Sequence, residues 1–131
     1  MKVAFTSTDG KSIDEHFGQC HNFYVWEIDA EDARPVSSVA AHLTDGDEED
    51  RIAARADAIS DCAIVYTMQI GGPAAAKLVA RKIHPMKTGI VVPVEEVVGR
   101  IQQVLRGTPP PWLRKAMNKD TTTASFLPDD L

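Results

Sequence analysis

Three strand-like runs follow one another up to residue 42 with no helical periodicity between them, and from residue 47 onward helical and strand-like runs alternate. Few architectures accept both halves. Residues 2–6 (KVAFT) are a short apolar run, residues 22–28 (NFYVWEI) are rich in aromatic and β-branched side chains, and a third run extends from Val36 to His42. Such compositions suit strands, and successive strands without an intervening helix pair most simply as an antiparallel meander. The acidic run DGDEED then changes the character of the chain. Asp47 can cap a helix whose first turn carries Glu48, Glu49 and Asp50 against the helix dipole, with Ile52, Ala53, Ala56 and Ile59 on its buried face. CAIVYT, from Cys62, is a fourth strand, continuously apolar as expected when both faces are covered. Pro73 sits at the favoured start of a second helix, along which Ala75, Leu78, Val79 and Ile83 recur. His84-Pro85 reads as its end, and TGIVV, from Thr88, as a fifth strand. Pro93 opens the last long helix, whose stripe of Val94, Val97, Val98, Ile101, Val104 and Leu105 stops at Arg106-Gly107. The order is βββαβαβα: an α/β fold with a mixed five-stranded sheet, an antiparallel edge and parallel crossovers in the second half.

At 131 residues the chain suffices for one packed core without disulfides or a structural metal. The core domain is read as residues 1–107. A tail, 108–131, opens with a triple proline; Trp112 to Asn118 form about two helical turns, and the remainder is expected to be mobile. Trp112 and Leu113 either plug the edge of the core or dock another protein. Hydrophobic residues at 44% and charged residues at 25% point to an ordinary globular chain, and no apolar run is long enough to span a bilayer. The N-terminus leads directly into a strand, without the pattern of a secretory signal. With only two cysteines, Cys20 and Cys62, a cytoplasmic protein with free thiols is expected. A net charge of -5 excludes a general nucleic-acid binder, which needs a basic face.

Two segments carry donor groups. The connection STDGKSIDEHFGQCH, 7–21, is longer than most loops of compact domains. It offers His16, Cys20 and His21, whose imidazoles and thiolate suit iron or zinc, with Gly18 between them where a backbone can turn or approach a bulky ligand. The spacing lacks the paired cysteines of a closed zinc site, and a loop histidine can equally be hydrogen-bonded to backbone. The second segment, MQIGGPAAAK, follows the fourth strand, where open α/β sheets bind ligands at their strand ends. Its amides from Gly72 to Ala75 would favour an anion. Met68 is a soft donor or a core gap-filler, and Gly71 and Gly72 are also ordinary turn residues. Cys62 reads as a buried inert thiol, and His42 and His84 as structural. No serine or cysteine stands in a nucleophile-elbow motif, and no reaction class is suggested.

The opening KVAFTSTDG, the loop DEHFGQC, the unit CAIVYTMQIGGPAAAKLVARKIHP and the tail PPPWLRKAM resemble the NifX and NafY family of nitrogenase cofactor carriers. The resemblance runs from Lys2 to about Met117. It implies a ribonuclease H-like fold and transient binding of the iron-molybdenum cofactor, or its iron-sulfur cluster precursor, during transfer between nitrogenase cofactor assembly proteins and to apo-nitrogenase. It also implies that His16, in the HFG loop, is the cluster ligand; Cys20 and His21 match less securely. A sparse site suits a carrier, because few ligands leave the cargo exchangeable. The cargo is anionic, so local positive charge is needed, from the Gly72 helix start and from Lys11 or Lys77. Two other readings are a metal-dependent nuclease of the same fold and a non-catalytic regulatory or interaction module.

Overall fold

The computed structural model describes residues 1–41 and 46–118. Five strands make one mixed sheet: β1 (Lys2–Thr6), β3 (Asn22–Ile28), β4 (Ala33–Ala40), β5 (Ile64–Thr67) and β6 (His84–Lys87). A two-residue pair, β2 (Ser12–Ile13) with β7 (Val92–Pro93), stands apart from it. The sheet order is β4-β3-β1-β5-β6. The meander β1-β3-β4 is antiparallel, and β1-β5 and β5-β6 are parallel. Helices α1 (Glu48–Ala58), α2 (Gly72–Ala80) and α3 (Val94–Arg106) complete the expected βββαβαβα order.

Alternation along the strands sends side chains into two cores. Ala4, Phe23, Val25 and Val65 pack with Ile52, Ala56 and Ile59 and with Ala74 and Leu78 on the α1 and α2 face. Val3, Phe5, Ile28 and Ile64 pack with Val94, Val97, Val98 and Ile101 on the α3 face. With both faces covered, the central strands β1 and β5 are almost wholly buried. Asp47 caps α1 by accepting from the Asp50 amide, as its sequence predicts.

The fifth strand is displaced from its expected place. Of TGIVV only Val92 lies in a strand, the short β7; the main sheet instead gains its fifth strand at His84–Lys87, and Ile90 is 68% exposed. The cause lies at both ends. Helix α2 stops at Ala80 because Lys82 enters the left-handed region, and the amides of Lys82 and Ile83 bond back to Val79 and Leu78. This double closure releases Ile83 from the helix and sends His84 directly into the sheet, its amide bonding Ala63. Pro85 is tolerated there since β6 is an edge strand. At the other end Gly89, at φ 76°, turns the chain, and the Thr88 hydroxyl donates to the Ile90 carbonyl at 2.7 Å. The buried face of α2 is accordingly Ala74 and Leu78, while Val79 is 60% exposed.

A fourth helix, α4 (111–118), follows the prolines. Leu113 and Ala116 are buried in the α3 core, and the Trp112 indole stacks on the His84 imidazole with ring centroids 4.1 Å apart. Leu113 and Ala116 therefore share the core of the preceding chain with Trp112 packed against it, which is the edge-plug alternative for Trp112 and Leu113. The expectations for His42 and for mobility beyond residue 118 lie outside the described residues.

Two outcomes follow from the α4 contact. Leu113→Ala should cost about 2 to 4 kcal/mol in urea unfolding, as for a buried leucine; a loss below about 0.5 kcal/mol, as at a surface site, would show that α4 does not belong to the folded unit. Burial holds the His84 imidazole below its ordinary pKa, so the folded state disfavours its protonation. Stability should therefore be full above the unfolded histidine pKa, about 6.5, and fall as pH drops below it. Thermal melts between pH 7.5 and 5 should show this decline reduced in His84→Phe, which keeps an aromatic ring against Trp112; an unchanged decline would assign it to other groups.

Candidate functional site

The sheet places the ends of β1 and β5 side by side, and the chain leaves them in opposite directions, from β1 toward β3 and from β5 through α2 toward β6. This reversal creates the crevice in which open α/β sheets bind ligands. The two donor-bearing segments of the sequence, 7–21 and 68–72, are the loops that leave these strand ends.

The long loop is pinned throughout. The Ser7 hydroxyl accepts from Gly10 N at 2.8 Å, the Asp9 carboxylate from Lys11 N at 2.8 Å, and the Asp14 carboxylate from Thr8 N at 2.9 Å. Gly10 is required: its φ is 81°, and a Cβ there would meet the Tyr24 ring at 3.0 Å. Farther along, the Glu15 carbonyl accepts from Met68 N at 3.0 Å and lies 2.9 and 3.0 Å from the hydroxyls of Thr6 and Thr67. Those threonines end β1 and β5 and are fully buried. Each hydroxyl has one proton; the two also reach each other, and Thr67 alone reaches the Gln69 carbonyl, so they share these acceptors. Phe17 N then donates to Gln69 O at 2.9 Å, and His16 and Gln69 form a parallel bridge.

His16 is thus fixed by its backbone on both sides, while its side chain is exposed. It precedes a single 3-10 turn, Phe17–Gln19. Among the described residues its imidazole has no hydrogen-bond or ion-pair partner, unlike the alternative of a loop histidine bonded to backbone. His21 lies at the same sheet edge, on the β3 side. Its side chain is 72% exposed, with Nδ1 3.5 Å from Glu15 Oε2. Cys20 departs from the expectation of a ligand beside them. It is fully buried in the α1 and α2 core, its thiol donates to the Phe17 carbonyl at 3.3 Å, and burial pushes that thiol up to about 11 against the pull of Arg55. The 3-10 turn causes this, because Phe17 and Cys20, three residues apart, fall on one side and both point inward. Cys62 is buried as expected.

In the second segment Met68 is half-buried, its amide and carbonyl tied to Glu15 and Gly89. Gly71 caps α2 at φ -80°, and Gly18 and Gly72 have nothing within 4 Å of a Cβ position. None of the three is required by backbone strain; what they leave is open space. Ala75 N is used by Gly71 O and Pro73 has no amide, so the expected row of donors reduces to Gly72 and Ala74. The strand directions bring the starts of α1, α2 and α3 to this same edge. Glu48, Glu49 and Asp50 offset the first, and Glu95 and Glu96 the third, whereas α2 has no acid in its first turn. Of the three, it alone carries no acid of its own in the first turn, although Glu48 and Glu49 of α1 border the same depression as Pro73. Lys77 does not add to the positive end of α2: its Nζ is 4.0 Å from Glu49 Oε1, across this depression of about 190 Å³ lined by Glu48, Ile52 and Pro73.

Residues that sequence reasoning missed are Thr6, Thr67, Gln69, Glu15 and Arg55. The threonines were visible as hydroxyls ending both central strands, and Arg55 as a charge within the apolar stripe of α1. Among the described residues no three His, Cys, Asp or Glu side chains gather as a metal site, and no helix is long and apolar enough to cross a membrane.

This geometry has relatives. The family model for "Dinitrogenase iron-molybdenum cofactor" matches residues 1–104. NifX of Herbaspirillum seropedicae is 42% identical over 91% of this chain and 83% of its own length. NifY of Azotobacter vinelandii is 37% identical over 92% of this chain, which spans 49% of that longer protein. The crystal structure of PH0822 shares the fold, with a TM-score of 0.62 and 23% identity over 79% of this chain and 89% of that one. By the family match and the NifX identity, this chain belongs to the dinitrogenase iron-molybdenum cofactor family.

Proposed function

We propose that this protein binds the iron-molybdenum cofactor of nitrogenase, or its iron-sulfur precursor, and passes it between nitrogenase cofactor assembly proteins without catalysing a reaction. Family membership supports the class of cargo. The observation that carries the reading to particular atoms is the exposed His16 imidazole, without a partner among the described residues, on a loop whose backbone is locked at the β1/β5 reversal.

The physical requirements of a carrier agree with this arrangement. Imidazole is a good ligand for iron, and a neutral ring nitrogen needs no rearrangement to meet a metal edge. One imidazole binds less tightly than a cage of thiolates, so an acceptor can compete for the cargo. The rigid loop limits the entropy lost on binding. The start of α2 supplies amides and a positive dipole for the sulfide-rich, anionic body of the cargo, in open space at Gly72. Cys20 has no part in this reading, since its thiol would have to leave the core and lose its proton first.

Anaerobic titration with cofactor extracted from nitrogenase tests the assignment. His16→Ala should weaken binding by at least tenfold, the order expected for loss of a metal ligand or its support, while Cys20→Ala should bind like wild type. Equal binding by His16→Ala and wild type would remove His16 from the site. Gly72→Asp separates the dipole from folding: an acid in the first turn of α2 should leave the melting temperature unchanged or raised, yet weaken cargo binding by roughly tenfold. Binding unaffected by Gly72→Asp would show that the cargo does not face α2.

A further inference from the structure

Among the described residues two buried side-chain atoms lack a hydrogen-bond partner, Arg55 Nε and Glu15 Oε1. They carry opposite charges and both belong to the support of the His16 loop. Arg55 lies in the apolar stripe of α1 and is only 3% exposed. Its Nη2 donates to the Cys20 carbonyl at 3.1 Å, holding the far end of the 3-10 turn. No carboxylate among the described residues pairs with it. A guanidinium buried without a counter-ion is costly, and such a group persists where its charge has a use. Glu15 immediately precedes His16; its side chain is 11% exposed, with Oε2 3.5 Å from His21. A carboxylate in that position opposes an anionic cargo.

Arg55 is bonded at the Cys20 end of the segment 15–20 and Glu15 stands at its other end beside His16, so the two charges flank one short segment in a poorly solvated interior where charge is weakly screened. Lys77, with Lys11 one of the two lysines expected to supply local positive charge, faces Glu49 instead.

We infer that Arg55 and Glu15 are positioning residues that form an opposed pair of buried charges beneath the His16 loop, Arg55 raising and Glu15 lowering its attraction for an anionic metal-sulfur cargo. The inference rests on the carrier reading above. In that role the pair sets affinity near balance, so that the cargo is held and still released.

Three variants of the full chain, titrated anaerobically with cofactor extracted from nitrogenase, test it. Arg55→Gln keeps an amide able to donate to the Cys20 carbonyl and removes the charge; binding should weaken on the order of tenfold. Glu15→Gln keeps the shape and removes the opposing charge; binding should tighten severalfold. Arg55→Lys should bind within a few-fold of wild type. Opposite shifts in the two Gln variants are the signature, because mere loss of packing would weaken both. Binding weakened in both, or unchanged in both, overturns the charge role while leaving His16 as ligand. Should circular dichroism show Arg55→Gln unfolded, tightening by Glu15→Gln with retention by Arg55→Lys still supports the pair, and absence of tightening overturns it. Wild type that binds no cofactor overturns the carrier reading and this inference with it.

Discussion

The candidate site depends on the Glu15 carbonyl. It receives the Met68 amide and lies within hydrogen-bond distance of the two buried threonine hydroxyls that end β1 and β5. The β2–β7 pairing ties down the first half of the loop from Ser7 to His21, and this junction, with the Phe17–Gln69 bond, ties down the half that carries His16, which lowers the entropic cost of a long connection. The backbone of His16 is thereby registered against Gln69, almost as if the loop were a further strand inserted at the crevice. Buried hydroxyls at strand ends are costly unless bonded. Here they are bonded to the loop they position, so satisfying the core and presenting the imidazole are one arrangement.

The fold converts this junction into a directional site. Because β1 and β5 are parallel and lead to opposite sides, their loops meet at the sheet end. Three helices begin at that edge, and the distribution of acids decides which is available to an anion. The carboxylates of α1 and α3 offset their own dipoles, and α2 is left with glycines and proline. Exposed imidazole, open helix start and opposed buried charges together favour a large anionic ligand held weakly by several small contributions. That is the balance a carrier needs.

Much of this was legible in the residues. The helix-free run of three strands predicted the meander, the continuous apolarity of CAIVYT a strand covered on both sides, and the loop and glycine-rich turn did converge. What escaped has physical causes. His84-Pro85 looked like a stop, yet Pro85 fits an edge strand, and the helix had already ended through left-handed Lys82, a position that composition marks only weakly. Cys20 looked like a ligand because the spacing of donors in sequence says nothing of direction; one 3-10 turn sent His16 outward and Cys20 inward. Glu15, Gln69 and Arg55 matter through backbone pairing and burial, which arise only when distant segments meet. The family resemblance, by contrast, points to His16 from the residues HFG alone.

Direct ligation of a cargo metal by His16 is best tested by electron-nuclear double resonance on the paramagnetic cofactor bound to protein labelled with ¹⁵N in its histidines. Coupling to a histidine ¹⁵N is expected in the wild-type complex and should vanish when position 16 is alanine. A bound cofactor with no such coupling, or with coupling that survives at full strength in the alanine variant, would contradict the assignment.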